Sequence, residues 1–233
     1  MAKKSKEIWK VYNNVFDNFT ILTLEKLRGQ HHFDELISPV SIGKESNVFT
    51  ASKGGEKVIV KIYRLESADF NRMYEYIRTD PRFKGLKAQR RKVIFAWAQR
   101  EYKNLLTARN GEVACPLPYA VVNNVLIEEL IGQDAPAPKL KNQTPKNPAK
   151  FFDAMVREIA KLKKIGLVHA DLSPFNVLND NEHPILIDFS TATPFADPNG
   201  KEYWTRDLKN ISTLFEKQGV DTIKVLKKHK LVN

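Results

Sequence analysis

The sequence predicts an α+β fold of two lobes, with a small strand-rich first lobe and a reduced helical second lobe. Two observations carry this prediction. Within residues 37–64 the sequence has the pattern of strands, in which successive side chains fall on opposite faces. After residue 148, apolar residues recur at helical spacing. The chain has 233 residues, enough for one or two domains of about 100–200 residues each. We expect a helical extension over residues 1–36, a first lobe over 37–130, and a linking segment with the second lobe over 131–233.

The first part of the chain is predicted to be helical and then to change to strands. Apolar residues recur every three or four positions within residues 7–36, which favours helices. Strands follow from Ile37 to Arg64, and Lys53-Gly54-Gly55 is typical of a hairpin turn between two of them. The strand K-V-I-V-K-I-Y places Lys61 inside an apolar run, where a charged side chain needs an opposing charge or an anionic ligand.

A long helix with a buried carboxylate is expected after an irregular insertion. Residues 65–85 are polar and aromatic and contain proline and glycine, so we predict an irregular or mobile segment there. The helix is expected over residues 86–109, and Glu101 occupies its apolar stripe together with Ile94, Trp97 and Leu105. Such a glutamate needs a cation, and Lys61 is the partner that we favour. The alternatives are exposure to water or a pairing with Lys92 or Arg100.

The remaining elements are a hairpin followed by helices. Asn123-Asn124 separates Y-A-V-V from V-L-I-E-E-L as a hairpin turn would. A proline- and lysine-rich connector follows over residues 136–148. Helices are then expected over Phe151–Ile165, Thr205–Gln218 and Asp221–His229, which would form the second lobe.

Three polar residues in two neighbouring segments indicate a phosphoryl-transfer site. The loop H-A-D-L-S-P-F-N holds Asp171 and Asn176, and the apolar run I-L-I-D-F ends at Asp188. Val177-Leu178 can pair with Ile185-Leu186-Ile187 across a turn at residues 179–181, which would bring Asn176 near Asp188. Asp171 can then orient the attacking oxygen, and the other two can bind Mg²⁺ on ATP. Any one of the three alone would be a loop-forming residue.

Other parts of the chain complete a predicted nucleotide site. His169 is interpreted as a structural hydrogen-bonding residue that braces the loop. The segment S-I-G-K-E-S-N-V-F lacks the pattern of a Walker A loop, and alone it would be a simple turn, but between two strands it can cover phosphates with its backbone amides. Backbone groups at the end of the hairpin are expected to hold adenine. The predicted nucleotide contacts are Ser41, Gly43, Lys44, Ser46, Val48, Lys61, Glu101, Glu129, Leu130 and Ile131.

Composition limits the partners and the compartment. The formal net charge is +11, which favours anionic partners such as RNA, although basic side chains can also simply solvate helix faces. The single cysteine, Cys115, excludes an intrachain disulfide and favours a reducing cytoplasm. No central apolar stretch approaches the ~18 residues that a membrane-spanning helix needs. We therefore expect a cytoplasmic protein, a monomer, with no membrane association.

Taken together, the motifs resemble the RIO family of atypical protein kinases, in particular its type-one subfamily. The segments that carry the resemblance are S-I-G-K-E-S-N-V-F, V-I-V-K-I-Y-R, W-A-Q-R-E-Y-K-N-L, I-G-Q-D-A-P-A-P-K-L-K-N, L-V-H-A-D-L-S-P-F-N-V-L and L-I-D-F-S. The resemblance implies a protein-kinase-like fold, Mg²⁺-ATP as cofactor with Mn²⁺ as an alternative, serine autophosphorylation, and a role in maturation of the small ribosomal subunit with its RNA. It implies Asp171 as the catalytic aspartate, Asn176 and Asp188 as metal ligands, Lys61 and Glu101 as the phosphate anchor, and Ser46 as a phosphate contact.

The resemblance further implies ATPase turnover through a phosphorylated Asp188. One departure from the family pattern is Thr191, which stands where a glutamine is frequent. Ordinary protein kinases have an arginine at the position of Ala170 and a lysine at that of Ser173, and no A-P-E follows Asp188. We therefore expect ATP hydrolysis or autophosphorylation rather than phosphorylation of varied proteins. Two alternatives stay open: a nucleotide-switched ribosome-binding module, and a small-molecule phosphotransferase.

Overall fold

The computed structural model describes residues 16–66 and 69–232, which divide into two compact units. The first unit contains the described residues up to Arg78, with Phe83–Gln99 and Tyr119–Glu129. The second contains Thr79–Arg82, Arg100–Pro118 and the described residues from Leu130 onward. Residues 1–15 of the predicted helical extension lie outside the described part of the chain, as do Ser67, Ala68 and Asn233, whereas its described part contains a helix over Asn18–Gly29.

A five-stranded sheet forms the centre of the first unit. Helix α1 (Asn18–Gly29) precedes β1 (Glu35–Ile42), β2 (Ser46–Lys53) and β3 (Glu56–Tyr63), and β4 (Pro118–Val122) and β5 (Val125–Glu129) complete the sheet in the order β1-β2-β3-β5-β4. The two glycines of the turn after Lys53 have φ of 58° and 91°, which confirms the predicted hairpin there. The hairpin of β4 and β5 is confirmed as well, with Asn123 and Asn124 between its strands.

The prediction of an irregular insertion over residues 65–85 is wrong. Helix α2 (Phe70–Thr79) lies there, followed by a short 3-10 turn over Pro81–Phe83. Its apolar residues Met73 and Ile77 are four positions apart and fully buried, and they pack in a cluster with Trp97. Aromatic residues scattered among charges hid this short apolar stripe from the sequence interpretation, and tertiary burial stabilises the helix despite its polar composition.

Helix α3 (Arg90–Asn110) contributes residues to both units and starts four residues later than predicted from Leu86. Its stripe of Ile94, Trp97, Glu101 and Leu105 is buried as expected, with each side chain at most 1 % exposed. Asparagine follows arginine at the end of the helix, and Gly111 then donates its N–H back to the last turn.

The second unit joins three helices with two short strand pairs. Helix α4 (Pro148–Lys164), strand β6 (Leu167–Val168), hairpin strands β7 (Val177–Asp180) and β8 (His183–Leu186), strand β9 (Thr193–Pro194), and helices α5 (Gly200–Glu216) and α6 (Thr222–Lys228) follow one another. Strand β6 pairs antiparallel with β9. The apolar faces of α4 and α5 meet through Phe151, Phe152 and Phe215.

The hairpin of β7 and β8 confirms the predicted pairing but not its turn. Val177 is opposite Leu186, and Leu178 is opposite Ile185. The turn lies at residues 181 and 182, both with positive φ, whereas residues 179 and 180 continue the strand. A two-residue turn of this kind matches the twist of the strands better than the three-residue turn that we expected.

Candidate active site

The loop between β6 and β7 brings two of the predicted site residues together. The side-chain amide of Asn176 donates to the carbonyl oxygen of Asp171 at 2.8 Å and to its carboxylate Oδ2 at 3.2 Å. Asn176 is buried and Asp171 is half-buried, so the carboxylate stays accessible while its loop is fixed. These two hydrogen bonds join residues five positions apart and so close the loop.

A carboxylate on α5 holds the same loop by accepting hydrogen bonds from its backbone. Asp207 is 2 % exposed and accepts the N–H groups of Ala170 at 2.7 Å and Leu172 at 3.0 Å. These two residues flank Asp171 in the chain, so both neighbours of the predicted catalytic residue are anchored to one side chain. Arg206, beside Asp207, donates to the Ala170 carbonyl oxygen.

Two backbone conformations in this region are unusual for residues with a side chain. Ala170 has φ of 64° and Asp188 has φ of 63°, in the left-handed region that costs a non-glycine residue about 1 kcal/mol or more. Each lies at or next to a carboxylate that the sequence assigned to chemistry. The hydrogen bonds that the N–H groups of Ala170 and Leu172 donate to Asp207 help to maintain the conformation of Ala170.

Burial governs the charge state of Asp207. Burial raises the pKa of this carboxyl above its ordinary value of 3.8, although the charge of His169, the two backbone N–H groups and Arg206 act in the opposite direction. The folded protein therefore binds a proton at Asp207 more readily than the unfolded chain does. Its two hydrogen bonds to backbone N–H groups are the compensation for placing a carboxylate there.

The segment with Asp188 is joined to the neighbouring strand hairpin. The N–H of Ile187 donates to the carbonyl oxygen of Asn176 at 3.0 Å, which places the residue before Asp188 beside Asn176. The hydroxyl of Ser190 donates to Oδ1 of Asp188 at 2.7 Å. One carboxylate oxygen of Asp188 is thereby oriented by its own loop.

His169 and Thr191 connect the two loops directly. His169 Nε2 lies 3.0 Å from the Ile187 carbonyl oxygen, and because a carbonyl only accepts, Nε2 carries the proton. The Thr191 hydroxyl donates to the His169 carbonyl oxygen at 3.1 Å. The interpretation of His169 as a structural residue is confirmed. Thr191, the departure from the family pattern, makes a buried contact between the two loops.

In the first unit, the predicted nucleotide contacts of three strands lie in one row. Ser41 is opposite Val48, and Val48 is opposite Lys61, so the three share a face of the sheet. Ser46 is two residues from Val48 and has the same face. Lys61 is only 5 % exposed, and its Nζ lies 5.3 Å from the centre of the Tyr63 ring.

The loop between β1 and β2 is a tight turn that depends on Gly43. The Gly43 N–H donates to the Ser46 carbonyl oxygen at 2.9 Å, and a Cβ at Gly43 would lie 3.0 Å from that same oxygen. Lys44 is exposed on this turn. A side chain at this position would press against the Ser46 carbonyl oxygen, so the turn favours glycine here.

The remaining predicted contacts differ in their surroundings. Glu101 is 1 % exposed, which contradicts the alternative that its carboxylate reaches water. Glu129 ends β5, and Leu130 and Ile131 follow it half-buried. The Ile131 carbonyl oxygen accepts the N–H of Ala137 at 2.7 Å, so part of the backbone predicted to hold adenine already closes a turn.

Several residues that support the loops were missed in the sequence. They are Asp80, Arg100, Asn104, Ser190, Arg206 and Asp207. A signal existed for Asp207, because it lies on the apolar stripe of α5 with Trp204, Leu208 and Ile211, all buried. The reasoning that singled out Glu101 on its helix applies equally to this aspartate.

Two features are absent from the described residues. Among them, no group of three or more histidine, cysteine, aspartate or glutamate side chains is arranged to hold a metal ion. No helix in the described ranges has the length and apolar character that crossing a membrane requires.

Comparison with solved structures identifies the class of fold. A Rio2 kinase from Chaetomium thermophilum, described as an ADP/Mg²⁺-phosphoaspartate complex, aligns with a TM-score of 0.66 at 23 % identity. The alignment covers 83 % of this chain and 59 % of that protein. A second structure of the same kinase gives a TM-score of 0.65. The predicted α+β, protein-kinase-like fold is therefore confirmed.

Comparison of sequences identifies the family. Residues 47–228 match the model of the RIO domain. The RIO-type serine/threonine-protein kinases Rio1 of Haloferax volcanii and Methanocaldococcus jannaschii are 36 % and 38 % identical over 223 and 221 residues. These alignments cover 95 % and 94 % of this chain, and 77 % and 76 % of the relatives. The chain belongs to the RIO family of serine/threonine protein kinases, and the predicted resemblance and enzyme class are confirmed.

Proposed function

We propose that this protein is a Mg²⁺-ATP-dependent RIO-type serine/threonine kinase and ATPase. The observation that carries the proposal is the pairing of Asp171 with Asn176 inside a loop whose backbone is held by Asp207. A carboxylate fixed at this position can orient an attacking hydroxyl and accept its proton. The named function of the Rio1 relatives is the same kinase class.

The oxygen atoms of Asn176 and Asp188 fit a magnesium ion. The amide nitrogen of Asn176 is used in hydrogen bonds to Asp171, which leaves an amide oxygen as its ligand atom. Asp188 supplies a carboxylate with one oxygen oriented by Ser190. Both are hard oxygen ligands of the kind that Mg²⁺ prefers, and Mn²⁺ accepts the same set. Bound metal would neutralise charge that develops on the phosphates.

The residues that share one face of the first unit's sheet, Ser41, Ser46, Val48 and Lys61, support a role of that face in holding phosphates. We propose that Lys61 contacts the phosphates and that Glu101 is its partner, because each is a buried charge that needs compensation. Ser46 would add a hydroxyl, and Val48 an apolar contact for the base. The remaining proposed nucleotide contacts are Ser41, Gly43 and Lys44 at the β1–β2 turn, and the backbone of Glu129, Leu130 and Ile131.

Two transfer reactions are consistent with these residues. In kinase chemistry, a serine hydroxyl oxygen bonds to the γ-phosphorus while Asp171 takes its proton, and the bond to the β–γ bridging oxygen breaks to release ADP. In the second reaction, a carboxylate oxygen of Asp188 bonds to the γ-phosphorus while the bond to the β–γ bridging oxygen breaks to release ADP. Water would later hydrolyse the resulting acyl phosphate, which regenerates the carboxylate and releases phosphate. The phosphoaspartate named for the Chaetomium thermophilum kinase supports the second reaction.

The cellular setting is proposed from charge and family. The net charge of +11 favours a large anionic partner, and we propose the precursor of the small ribosomal subunit and its RNA, in the cytoplasm, with this protein acting as a monomer. The alternatives predict different stimulation of ATP hydrolysis. Precursor particles should accelerate turnover by a kinase-ATPase, whereas a small hydroxyl-bearing metabolite should accelerate it if the protein is a small-molecule phosphotransferase.

A direct test compares Asp171→Ala with Asp180→Ala, a control in the neighbouring strand. We expect the first variant to lose phosphate release and autophosphorylation by about 100-fold or more, since a positioned acid–base group contributes about 10²–10⁴-fold. Nucleotide binding should remain nearly intact. The control should behave as the wild-type protein does. Normal phosphate release from the Asp171 variant would contradict the proposed catalytic role.

The path of the phosphate can be followed separately. Radiolabelled protein is treated with hydroxylamine, which cleaves an aspartyl phosphate and leaves phosphoserine intact. Label lost from the wild-type protein, and absent from an Asp188→Asn variant, would support transfer to this carboxylate. Label that survives hydroxylamine would support serine autophosphorylation, and the absence of label on any residue would contradict both transfer reactions.

A further inference from the structure

The loop after Asp188 is held by two buried side chains of helix α3. The amide nitrogen of Asn104 donates to the carbonyl oxygens of Phe189 at 2.8 Å and Ala192 at 2.7 Å. Arg100, one helical turn earlier, donates to the carbonyl oxygen of Ser190. Asn104 and Arg100 are 1 % and 0 % exposed. Three of the four carbonyl groups that follow Asp188 are therefore held by one face of one helix.

These two side chains are in turn fixed by a carboxylate from the segment before α3. Asp80, 3 % exposed, accepts Nε of Arg100 at 3.1 Å. It also accepts Nε of Arg82 at 2.9 Å and Nη2 at 2.6 Å. The same Nη2 donates to the amide oxygen of Asn104 at 2.9 Å. Asp80, Arg82, Arg100 and Asn104 are thus connected by hydrogen bonds in one network, which we call the positioning cluster.

Asp80 shares its single negative charge with two guanidinium groups, so the positioning cluster carries a net charge of +1. Burial would raise the pKa of Asp80, but the hydrogen bonds and charge of Arg82, with the charge of Arg100, outweigh burial and hold that pKa below its ordinary value of 3.8. Asp80 is thus ionised at neutral pH. A buried ion pair of this kind contributes little net stability compared with well-packed apolar side chains. Apolar side chains, however, could not donate hydrogen bonds to the three carbonyl groups that Arg100 and Asn104 hold.

We propose that the positioning cluster sets the orientation of the Asp188 carboxylate, and thereby the affinity of the site for its divalent metal. The Ser190 hydroxyl donates to Oδ1 of Asp188 at 2.7 Å, and Arg100 holds the carbonyl group of the same Ser190, so the direction of the Asp188 carboxylate is tied to the loop that follows it. With the carbonyl groups of that loop fixed from α3, the carboxylate has one preferred direction. This inference rests on the proposed function, in which Asp188 is a metal ligand.

The cluster also gives the segment before α3 a role. Asp80 and Arg82 end the insertion that separates β3 from α3, and together they orient Arg100 and Asn104. A change at this end of the insertion is therefore transmitted by hydrogen bonds to the residues around Asp188. None of the four side chains needs to touch nucleotide or metal, so they are positioning residues and not catalytic ones.

The test compares two buried asparagines that both donate to backbone carbonyl groups. Asn104→Leu removes the donor to the loop after Asp188. Asn124→Leu is the matched control, because Asn124 is 0 % exposed and donates to the Tyr63 carbonyl oxygen at 2.8 Å in the first unit. Binding of a fluorescent ADP analogue is titrated with Mg²⁺ for the wild-type protein and both variants, at a temperature at which circular dichroism shows each to be folded.

We expect Asn104→Leu to weaken the apparent Mg²⁺ affinity about 10-fold or more, since residues that orient metal ligands typically contribute 10–100-fold. Binding of the analogue without Mg²⁺ should be unchanged. Asn124→Leu should keep the wild-type Mg²⁺ dependence even where it is equally destabilised. Equal Mg²⁺ dependence in all three proteins would overturn the inference. A fall in Mg²⁺ affinity for both variants would overturn it too, since that outcome tracks stability alone.

A second measurement separates the inference from the proposed function. Hydrogen exchange of the segment around residues 186–195 reports the order of the loop without any nucleotide. We expect faster exchange there in Asn104→Leu, and no change in Asn124→Leu. If the wild-type protein does not bind Mg²⁺-nucleotide, the proposed function and the metal role fail together, whereas the exchange result still decides whether the cluster orders the loop.

Arg82→Ala provides a milder variant if Asn104→Leu does not fold. The Arg82 side chain is 30 % exposed, so its removal leaves no large buried cavity. It removes the donors to Asp80 and to the Asn104 amide oxygen while Arg100 stays in place. The expected shift in Mg²⁺ affinity has the same direction and is several-fold. A wild-type Mg²⁺ dependence in this variant, with unchanged hydrogen exchange of the loop, would overturn the inference.

Discussion

Replacing Asp207 tests most directly how the loop that contains Asp171 is held. Its carboxylate accepts two backbone N–H groups at 2.7 Å and 3.0 Å, and the side chain is 2 % exposed. Asp207→Ala leaves both N–H groups without this acceptor, and a buried donor without a partner costs about 1–3 kcal/mol. Relief of the cost of burying a carboxylate offsets part of that sum. We therefore expect a loss of about 2–4 kcal/mol in the free energy of unfolding.

Asp207→Asn should lie between the wild-type protein and the alanine variant. An amide oxygen can still accept one N–H group, while the NH₂ group faces the other, so we expect a loss of about 1–2 kcal/mol. The loop also shifts, and a displacement of about 1 Å at Asp171 is enough to reduce turnover about 100-fold. Both effects are measured on the same preparations, by guanidinium unfolding and by phosphate release.

The control for Asp207 is an exposed aspartate that also accepts a backbone N–H group. Asp69 accepts the N–H of Arg72 at 3.1 Å at the surface, and Asp69→Asn should change the unfolding free energy by less than about 0.5 kcal/mol. An Asp207→Ala variant with the stability and turnover of the wild-type protein would refute the reasoning, since the loop would then not depend on this carboxylate.

Two further predictions concern a hydroxyl and an ion pair of the second unit. Thr191→Val removes the donor to the His169 carbonyl oxygen and should lower the unfolding free energy by about 1 kcal/mol in guanidinium titrations; a more stable variant would contradict this. Hydrogen bonds from Lys228 and His229 lower the pKa of Asp153 below 3.8, so its stabilising effect is present above that pH and is lost as the pH falls further. Asp153→Asn should flatten the acid limb of the stability profile, and an unchanged profile would refute the assignment.

The residues to which we assign chemistry could be proposed from the sequence because their signal is local. Asp171 and Asn176 are five residues apart in one loop, and Asp188 comes shortly after β8, which pairs with the strand that begins directly after Asn176. Lys61 and Glu101 were noticeable as single charges on apolar elements, and both are buried. In each case a short window of sequence contained the whole argument.

The residues that hold those loops could not be recognised in this way, because their partners are distant in the chain. Arg100 reaches a carbonyl group 90 residues away, and Asp207 reaches N–H groups 37 and 35 residues away. Nearly every residue has the same backbone N–H and carbonyl groups, so the sequence does not show which of them a distant side chain contacts. Helix α2 was missed for a related reason, since the burial that stabilises it is supplied by Trp97 on another helix.

The hydrogen bonds between His169 and the second loop make the two supports interdependent. The His169 ring contacts Ile187, its carbonyl group accepts from Thr191, and the next residue is the one held by Asp207. The loop that contains Asp171 and the loop that contains Asp188 are therefore joined by hydrogen bonds at His169. In the proposed function, the carboxylate that orients the acceptor and the carboxylate that binds metal must keep a constant relation during transfer. His169 supplies that relation, because its ring is directed at a backbone carbonyl oxygen next to Asp188.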